Sequence, residues 1–175
     1  MLAYRHGDAG AFEALYGKHK GGLFRFVLRS VKARGEAEEL FQDIWMRVIE
    51  ARGRYEAKAK FTTWLYTIAH HRLVDHWRAR GLAVVSIDDD EGAAPEPAAA
   101  PSSEPHRIAE AGDTMKRLAA AIAALPMAQR EAFLLHHEGD LTAAEIAAAT
   151  GTNEEAAKSR LRYAMNKLKE AIGDG

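Results

Sequence analysis

Apolar residues recur every three or four positions through most of the chain, which is the spacing of amphipathic helices. In the first half of the chain the stripe is clearest over residues 36–50 and again over residues 61–80. Asp8 is placed to cap an earlier helix, and the Gly21-Gly22 pair predicts a break or kink in that helix. This half is therefore predicted to form a compact helical domain.

The last third of the chain has the pattern of a helix-turn-helix. Pro126 predicts a boundary between two helices. Residues 142–145 (TAAE) form a capping-box pattern at the start of a short helix, which Gly151 is expected to end. Thr152 or Asn153 would then cap a final helix from residue 154 to about residue 172. In a helix-turn-helix the second helix is the one that enters a DNA major groove.

Between these halves the composition is that of a flexible linker. Residues 81–113 are rich in Ala, Ser, Pro and Glu and have too little apolar surface to offset the entropy of ordering the chain. The segment contains four of the five prolines, Pro95, Pro97, Pro101 and Pro105. The predicted fold class is all-α, with two small helical domains over residues 1–80 and 114–175 joined by this acidic linker.

The net charge of −1 conceals an uneven distribution of charge along the chain. Residues 1–80 contain 15 basic and 9 acidic residues, whereas residues 81–113 contain 1 and 8, and residues 114–175 contain 8 and 8. A basic domain beside an acidic segment is typical of a surface that binds a polyanion.

Composition also excludes several kinds of chemistry. The chain has no cysteine, so disulfides, thiolate metal sites and a cysteine nucleophile are excluded. The adjacent pairs His70-His71 and His136-His137 point to different sides of a helix, so no metal and no cofactor is predicted. No catalytic motif is present, and the protein is predicted not to be an enzyme.

The absence of an apolar segment long enough for a signal peptide or a membrane span predicts a cytoplasmic protein.

The final helix carries a set of cationic and polar side chains suited to duplex DNA. Arginine can bind guanine edges in a bidentate manner, while lysine and serine mostly contact phosphates. Leu161, Ala164, Met165 and Leu168 are expected to face the core, which a merely solvated amphipathic helix would also require. The candidate DNA-binding residues are Lys158, Ser159, Arg160, Arg162, Tyr163 and Lys167.

A second candidate surface lies in the first domain, where aromatic residues alternate with cations and hydroxyl groups. Such a mixture suits unpaired bases on a single strand, which stack on aromatic rings. Phe61 and Trp64 are at least as well explained as core side chains. The candidate residues are Arg54, Lys58, Lys60, Phe61, Thr62, Thr63, Trp64, His71, Arg72 and Arg78.

Several motifs occur together in an order that resembles a known family. FTTWLYTIAHHRLVDHWR precedes LPMAQREAFLLHHEGDLTAAEIAAATGTNEEAAKSRLRYAMNKL, and AFEALYGKH and AEELFQDIWMRVIE come before both. The chain resembles the extracytoplasmic-function group of bacterial sigma-seventy-type sigma factors over nearly its whole length. The resemblance implies a factor that binds core RNA polymerase and directs promoter recognition and DNA melting.

The resemblance also implies roles for particular segments. The connection over residues 54–60 and the start of the next helix would capture a flipped base of the minus-ten element, and the final helix would bind the minus-thirty-five element. The C-terminal domain would also contact the polymerase flap. An anti-sigma protein inserted between the two domains would control the factor. The residues implied to bind the clamp of the polymerase are Glu39, Gln42, Asp43, Met46 and Arg47.

The sequence departs from the family pattern at two places. Relatives usually have Asn where this chain has His71, and Thr-Val where it has Ala156-Ala157. Loss of the Val-like residue predicts a smaller apolar contact beneath the final helix. Promoter specificity therefore cannot be copied from a relative.

Two other classes of protein could account for part of the pattern. A dimeric helix-turn-helix regulator with a helical N-terminal domain would explain the C-terminal third, and it predicts a dimer on a palindromic site. A protein-interaction adaptor would explain the helices but not the FTTWLYT segment. A sigma factor instead predicts a monomer when free, or a complex with its inhibitor.

Overall fold

The computed structural model describes residues 1–31, 33–81 and 108–173, and the regular structure within those residues is helical. This confirms the predicted all-α class. The N-terminal domain contains α1 (Leu2–Arg5), α2 (Ala9–Val31), α3 (Arg34–Glu50), a 3₁₀ turn (Ala51–Arg54) and α4 (Phe61–Ala79). The C-terminal domain contains α5 (Ile108–Ala124), α6 (Met127–Gly139), α7 (Ala143–Thr150) and α8 (Glu154–Gly173).

In the N-terminal domain, α2, α3 and α4 pack around a core rich in aromatic side chains. The Trp45 ring meets Phe12 and Tyr16 edge-on, with ring centroids 5.8 and 5.0 Å apart. Edge-on pairs of this kind add to the stability that burial alone provides. Asp8 caps α2 as predicted, because its Oδ1 accepts a hydrogen bond of 3.1 Å from the Ala11 amide.

The predicted helix-turn-helix is present in the C-terminal domain. Thr142 and Glu145 complete a reciprocal capping box at the start of α7. Gly151 ends α7 in the left-handed conformation, with φ of 68°. Asn153 then caps α8 by accepting a 2.7 Å hydrogen bond at its Oδ1 from the Ala156 amide. Local signals within three or four residues therefore define both helices of the motif.

Two sequence predictions about the ends and breaks of helices are corrected. The helix α5 begins at Ile108, inside the predicted linker, because helix-forming residues IAEA follow the last proline, Pro105. Residues 82–107, which contain most of that predicted linker, lie outside the described residues. The Gly21-Gly22 pair does not break α2, which continues to Val31.

The reason for Gly22 lies in the packing between the two domains. A Cβ atom built on Gly22 would stand only 2.7 Å from the main-chain oxygen of Glu138 in α6. The glycine therefore allows the two helices to approach closely, and α2 keeps its helical conformation around it. At Gly139 an added Cβ would lie 2.8 Å from the Tyr66 ring, so the same close approach continues on the α4 side.

The two domains pack directly against each other, with α2 and α4 facing α6 and α7. Glu138 is central to this contact: its carboxylate accepts hydrogen bonds of 2.7 Å from both Arg25 and Arg29. The Tyr66 hydroxyl donates to the Glu138 carbonyl at 3.0 Å. We call the six residues of this contact, Gly22, Arg25, Arg29, Tyr66, Glu138 and Gly139, the domain seam.

The two domains are in direct contact here, and the inhibitor expected between them stays a prediction. The side chain of Glu138 is only 3% exposed, and buried residues of both domains form a continuous apolar cluster. An inhibitor placed between the domains would have to separate them first, and would expose this apolar surface to water. An inhibitor that leaves the seam intact would have to bind the outside of the closed chain.

Candidate nucleic-acid interface

The helix α8 presents most of its predicted DNA-binding residues to solvent. Lys158, Arg162, Tyr163 and Lys167 are exposed, while Ser159 and Arg160 are partly exposed. The Arg162 guanidinium lies over the Tyr163 ring, 5.2 Å from its centroid, and this places a cation and an aromatic ring side by side on the surface.

The buried side of α8 explains how the helix is held. Ala157 and Ala164 are fully buried and Leu168 is nearly so, which is a stripe at helical spacing. Leu161 is partly buried, and Met165, which was predicted to face the core, is 37% exposed. Met165 follows Ala164 directly and is therefore rotated about 100° from the buried stripe. The full burial of Ala157 agrees with the predicted small contact beneath the helix.

The start of α8 is acidic and modifies the first of these cations. Lys158 Nζ lies 2.9 Å from Glu154 and 3.9 Å from Glu155. The hydrogen bond and charge of Glu154 raise the pKa of Lys158. A phosphate at this position would have to compete with two carboxylates, whereas Arg162 and Lys167 are farther from them along the helix.

The predicted single-strand surface is only partly presented. Thr63 is buried, at 5% exposure, and its hydroxyl has no hydrogen-bond partner within the described part of the chain. The other nine candidate residues differ in how far they are exposed to solvent. Arg54, Lys58, Lys60, His71 and Arg78 are exposed, whereas Phe61, Thr62, Trp64 and Arg72 are partly buried.

An aromatic cluster supports this surface, and it includes a residue that the sequence analysis did not single out. Tyr55 packs its ring edge-on against Trp64, with centroids 4.9 Å apart, and Phe61 lies 5.8 Å from Trp64. Tyr55 is 5% exposed, and burial raises the pKa of its hydroxyl. Phe61 and Trp64 therefore belong to a packed cluster and also reach the surface. This position is compatible with a role in the core and with stacking on unpaired bases.

The domain packing covers part of the same surface. Lys60 Nζ forms a 3.0 Å ion pair with Glu145 at the start of α7. His70 Nδ1 lies 2.6 Å from Glu131 Oε1, and both side chains are largely buried. A cation predicted to contact DNA is thus paired with a carboxylate of the other domain.

The ion pair makes the titration of Glu145 a test of domain closure. Hydrogen bonds from the Thr142 backbone and from Lys60 lower the pKa of Glu145 from 4.5 to about 2. A lowered carboxylate pKa stabilises the folded state at pH values above 4.5, and this contribution disappears as the pH falls through 2. Lys60→Ala is expected to raise the pKa of Glu145, measured by NMR as the side-chain carboxyl shift against pH. Lys58→Ala, which removes only the pair with Glu56, is the control.

If the Glu145 titration were the same in the wild type and in Lys60→Ala, the two domains would not be packed together in solution as they are here. The Thr142 contribution lies within the C-terminal domain and is present in both proteins. The difference between the two titrations therefore reports only the contact across the domains.

The predicted polymerase-binding residues share one exposed face of α3. All five, Glu39, Gln42, Asp43, Met46 and Arg47, are exposed, and Met46 is exposed to 54%. Ile49, which the sequence analysis did not select, adds a further exposed apolar residue on the same helix. An apolar centre among polar side chains is typical of a protein-binding surface.

This face is linked to the predicted single-strand surface by ion pairs. Arg72 of α4 donates to the Asp43 carboxylate at 2.6 Å, and Arg47 lies 3.8 Å from Asp75. Arg72 is therefore paired with Asp43, a residue predicted to bind polymerase. Binding of polymerase to Asp43 would alter the environment of Arg72.

In residues 1–31, 33–81 and 108–173, no three His, Asp or Glu side chains come together as a metal site. The helices described for these ranges include none with the length and apolar character needed to cross a membrane.

Comparison with known proteins identifies the family. The model of sigma-70 region 2 matches residues 15–82, and the model of sigma-70 region 4 matches residues 115–168. The chain is 31% identical to RNA polymerase sigma factor CarQ of Myxococcus xanthus, over 99% of this chain and 96% of that protein. It is 33% identical to the ECF RNA polymerase sigma factor RpoE of Cereibacter sphaeroides, over 97% and 91% of the two chains. This chain is an ECF sigma factor.

Solved structures of two sigma factors have the same fold. The sigma factor RpoE bound to the anti-sigma factor NepR from Bartonella quintana aligns with a TM-score of 0.69 and 25% identity, covering 93% of this chain and 97% of that one. CnrH, in complex with the cytosolic domain of CnrY, aligns with a TM-score of 0.68 and 19% identity over 99% and 95% of the two chains. The second likeness shows the fold alone.

Membership confirms the resemblance read from the sequence. As a sigma factor, the protein binds core RNA polymerase and directs promoter recognition and DNA melting. The sigma-70 region 2 and region 4 models match one domain each. The chain is therefore a sigma factor and not the dimeric regulator considered as an alternative.

Proposed function

We propose that this sigma factor divides promoter recognition between its two domains. The N-terminal domain, residues 1–80, binds the polymerase clamp through the exposed face of α3 and the minus-ten element through residues 54–64 and α4. The C-terminal domain binds the minus-thirty-five duplex through α8 and contacts the flap. The observation that carries this proposal is the combination of an exposed cationic α8 with an aromatic and cationic surface on the other domain.

Melting, in this proposal, is achieved by binding alone, and the factor is not an enzyme. Unstacking a base costs a few kcal/mol, and a protein that holds the unpaired base offsets this cost. Phe61 and Trp64 offer partly exposed rings for stacking, at roughly 1–3 kcal/mol per base. Lys58 and Arg54 are exposed beside them and suit the phosphates of the captured strand.

The closed chain cannot bind both promoter elements at once. The two elements are named for positions about 25 base pairs apart, which corresponds to roughly 85 Å of duplex. In the closed chain, Lys60 of the first surface is only 3.0 Å from Glu145 in the helix-turn-helix of the second. We therefore infer that the domain seam is a feature of the free factor and that it opens when polymerase binds.

The closed chain also suits control by an anti-sigma partner. The similar sigma factor RpoE was solved in complex with the anti-sigma factor NepR. An anti-sigma protein that binds the outside of both domains would hold the seam closed and keep α8 away from the minus-thirty-five element. We place this regulation in the cytoplasm, where the polymerase is found.

Run-off transcription tests the proposal, with the purified factor added to bacterial core polymerase on a pool of promoter fragments. The wild type should give new specific transcripts. Arg162→Ala should reduce them about 5- to 150-fold on promoters with a matching guanine, the equivalent of roughly 1–3 kcal/mol. Lys169→Ala, on the same helix but outside the proposed contacts, is the control and should stay near the wild type.

Trp64→Ala tests the other domain in the same assay. It should lose transcripts from linear duplex promoters and regain them on templates with a pre-melted minus-ten region, because the cost of unstacking has then been met. Trp64→Phe, which retains a ring in the Tyr55 cluster, separates the loss of stacking from the loss of folding. No transcript with the wild type, and no complex with core polymerase on a sizing column, would refute the proposed function.

A further inference from the structure

The short helix α1 contacts the start of the predicted minus-ten loop, the connection over residues 54–60. The region 2 model begins at residue 15, so α1 lies outside the part of the chain that the family model describes. Arg5 Nη1 donates a 2.7 Å hydrogen bond to the main-chain oxygen of Tyr55, fifty residues away in sequence. A bond from a guanidinium to a carbonyl is charge-assisted and stronger than a neutral one.

Tyr4 makes the second link between α1 and this segment. Tyr4 is 9% exposed, and its ring packs against Phe12 with centroids 5.0 Å apart. The Arg52 guanidinium, in the 3₁₀ turn that precedes the loop, lies 5.1 Å from the Tyr4 ring centroid. The helix α1 is thus anchored to the core on one side and contacts the 3₁₀ turn on the other.

The Tyr55 ring is already held by packing against Trp64, and the bond from Arg5 holds the main-chain oxygen of the same residue. The Tyr55 amide reaches the Arg52 oxygen only at 3.4 Å, the long limit for a hydrogen bond. Residues 56–60 are exposed, and their far end is fixed where α4 begins at Phe61. Because the Tyr55 oxygen belongs to the peptide unit that joins Tyr55 to Glu56, holding it sets the direction in which the loop leaves the core.

We propose that Arg5, supported by Tyr4, is a positioning residue for the minus-ten loop of this sigma factor. In this role Arg5 acts through the Tyr55 peptide and not through a contact of its own with DNA. It holds the Tyr55 peptide so that residues 56–60 are ordered before the unpaired base arrives, which lowers the entropy cost of capturing it. This inference rests on the proposed role of the loop in minus-ten binding.

The test uses holoenzyme reconstituted with core polymerase and two DNA probes. One probe is a single-stranded oligonucleotide carrying the minus-ten element of a promoter used in the run-off assay, with 2-aminopurine at the captured position. The other is the duplex minus-thirty-five element. Arg5→Ala is expected to weaken single-strand binding about five- to tenfold and to reduce the fluorescence change, while affinity for core polymerase and for the duplex stays at the wild-type value.

Two further variants separate positioning from general stability. Arg5→Lys can still donate to the Tyr55 oxygen and should recover part of the lost affinity. Arg34→Ala removes an exposed arginine whose contacts, the ion pair with Glu38 and the face of the Phe24 ring, lie outside residues 51–60, and it should leave single-strand binding unchanged. Single-strand binding by Arg5→Ala within twofold of the wild type, or an equal loss on both DNA probes, would overturn the inference. A wild-type holoenzyme that binds neither probe would instead overturn the proposed function on which it rests.

Discussion

Replacing Gly22 with alanine is expected to separate the two domains of the free factor. The new Cβ would stand 2.7 Å from the Glu138 main-chain oxygen, which cannot move aside as a flexible side chain can. Overpacking of this kind costs about 1–3 kcal/mol, which shifts the balance toward the open chain by roughly 5- to 150-fold. The N-terminal domain itself should become no less stable, because alanine is a better helix former than glycine.

Gly17→Ala is the matched control for this prediction. Gly17 lies in the same helix α2, and an added Cβ there meets nothing within 4 Å. Both variants gain the same helix propensity, so a difference between them isolates the contact across the seam. The chain has no cysteine, and Glu50→Cys with Glu170→Cys therefore provides one unique pair of spin labels, one on each domain.

The distance between these labels should lengthen and broaden in Gly22→Ala and keep the wild-type distribution in Gly17→Ala. Core polymerase should bind Gly22→Ala more tightly, because a larger fraction of that protein is already open. Identical label distances in both variants would show that the domains are not packed through Gly22. Separated labels without any gain in polymerase affinity would show that closure does not limit binding.

Removing both arginines of the seam, as Arg25→Gln with Arg29→Gln, should open the domains more than removing their partner does. The double variant leaves the Glu138 carboxylate at 3% exposure without its two cationic partners. Breaking a buried pair in this way costs about 3–5 kcal/mol, and the low end applies because Arg25 is itself 56% exposed and screened by water. After Glu138→Gln, in contrast, the side chains of Arg25 and Arg29 are 56% and 34% exposed, so water can reach both guanidinium groups.

The same spin-label pair measures this difference between the two variants. Arg34→Gln is the control, since Arg34 pairs with Glu38 at the surface and such pairs contribute about 0.5 kcal/mol or less. The label distance should change most in the arginine double variant, less in Glu138→Gln and not at all in Arg34→Gln. If Glu138→Gln opened the chain as fully as the double variant, the buried carboxylate would not be the source of the asymmetry.

In the proposed function, the domain seam would keep the factor inactive before it meets polymerase. The seam places Glu145 against Lys60, so that each domain neutralises a charged group of the other. In the proposed function, opening would expose Lys60 to the DNA phosphates and free α8 to reach a distant element. The stability of the seam would then set how much binding energy polymerase must supply to open the chain.

The sequence alone was sufficient wherever the deciding interactions are local. Thr142 and Glu145 are three residues apart, and Gly151 supplies a left-handed turn at the end of α7, so their effect can be read without knowing the rest of the fold. The helical class and the exposed face of α3 follow from periodicity in the same way. The order of motifs was enough to indicate the family, which the comparisons then confirmed.

The tertiary structure alone decided what the sequence pattern could not. Gly22 is expected to break a helix when only its neighbours are considered, but it is retained in α2 because α6 approaches it closely. Glu138 gave no signal in the sequence, since its partner Arg25 is 113 residues away and Tyr66 is 72 residues away. Helix propensity and capping act over three or four residues, whereas burial and charge pairing depend on which surfaces meet after the chain has folded.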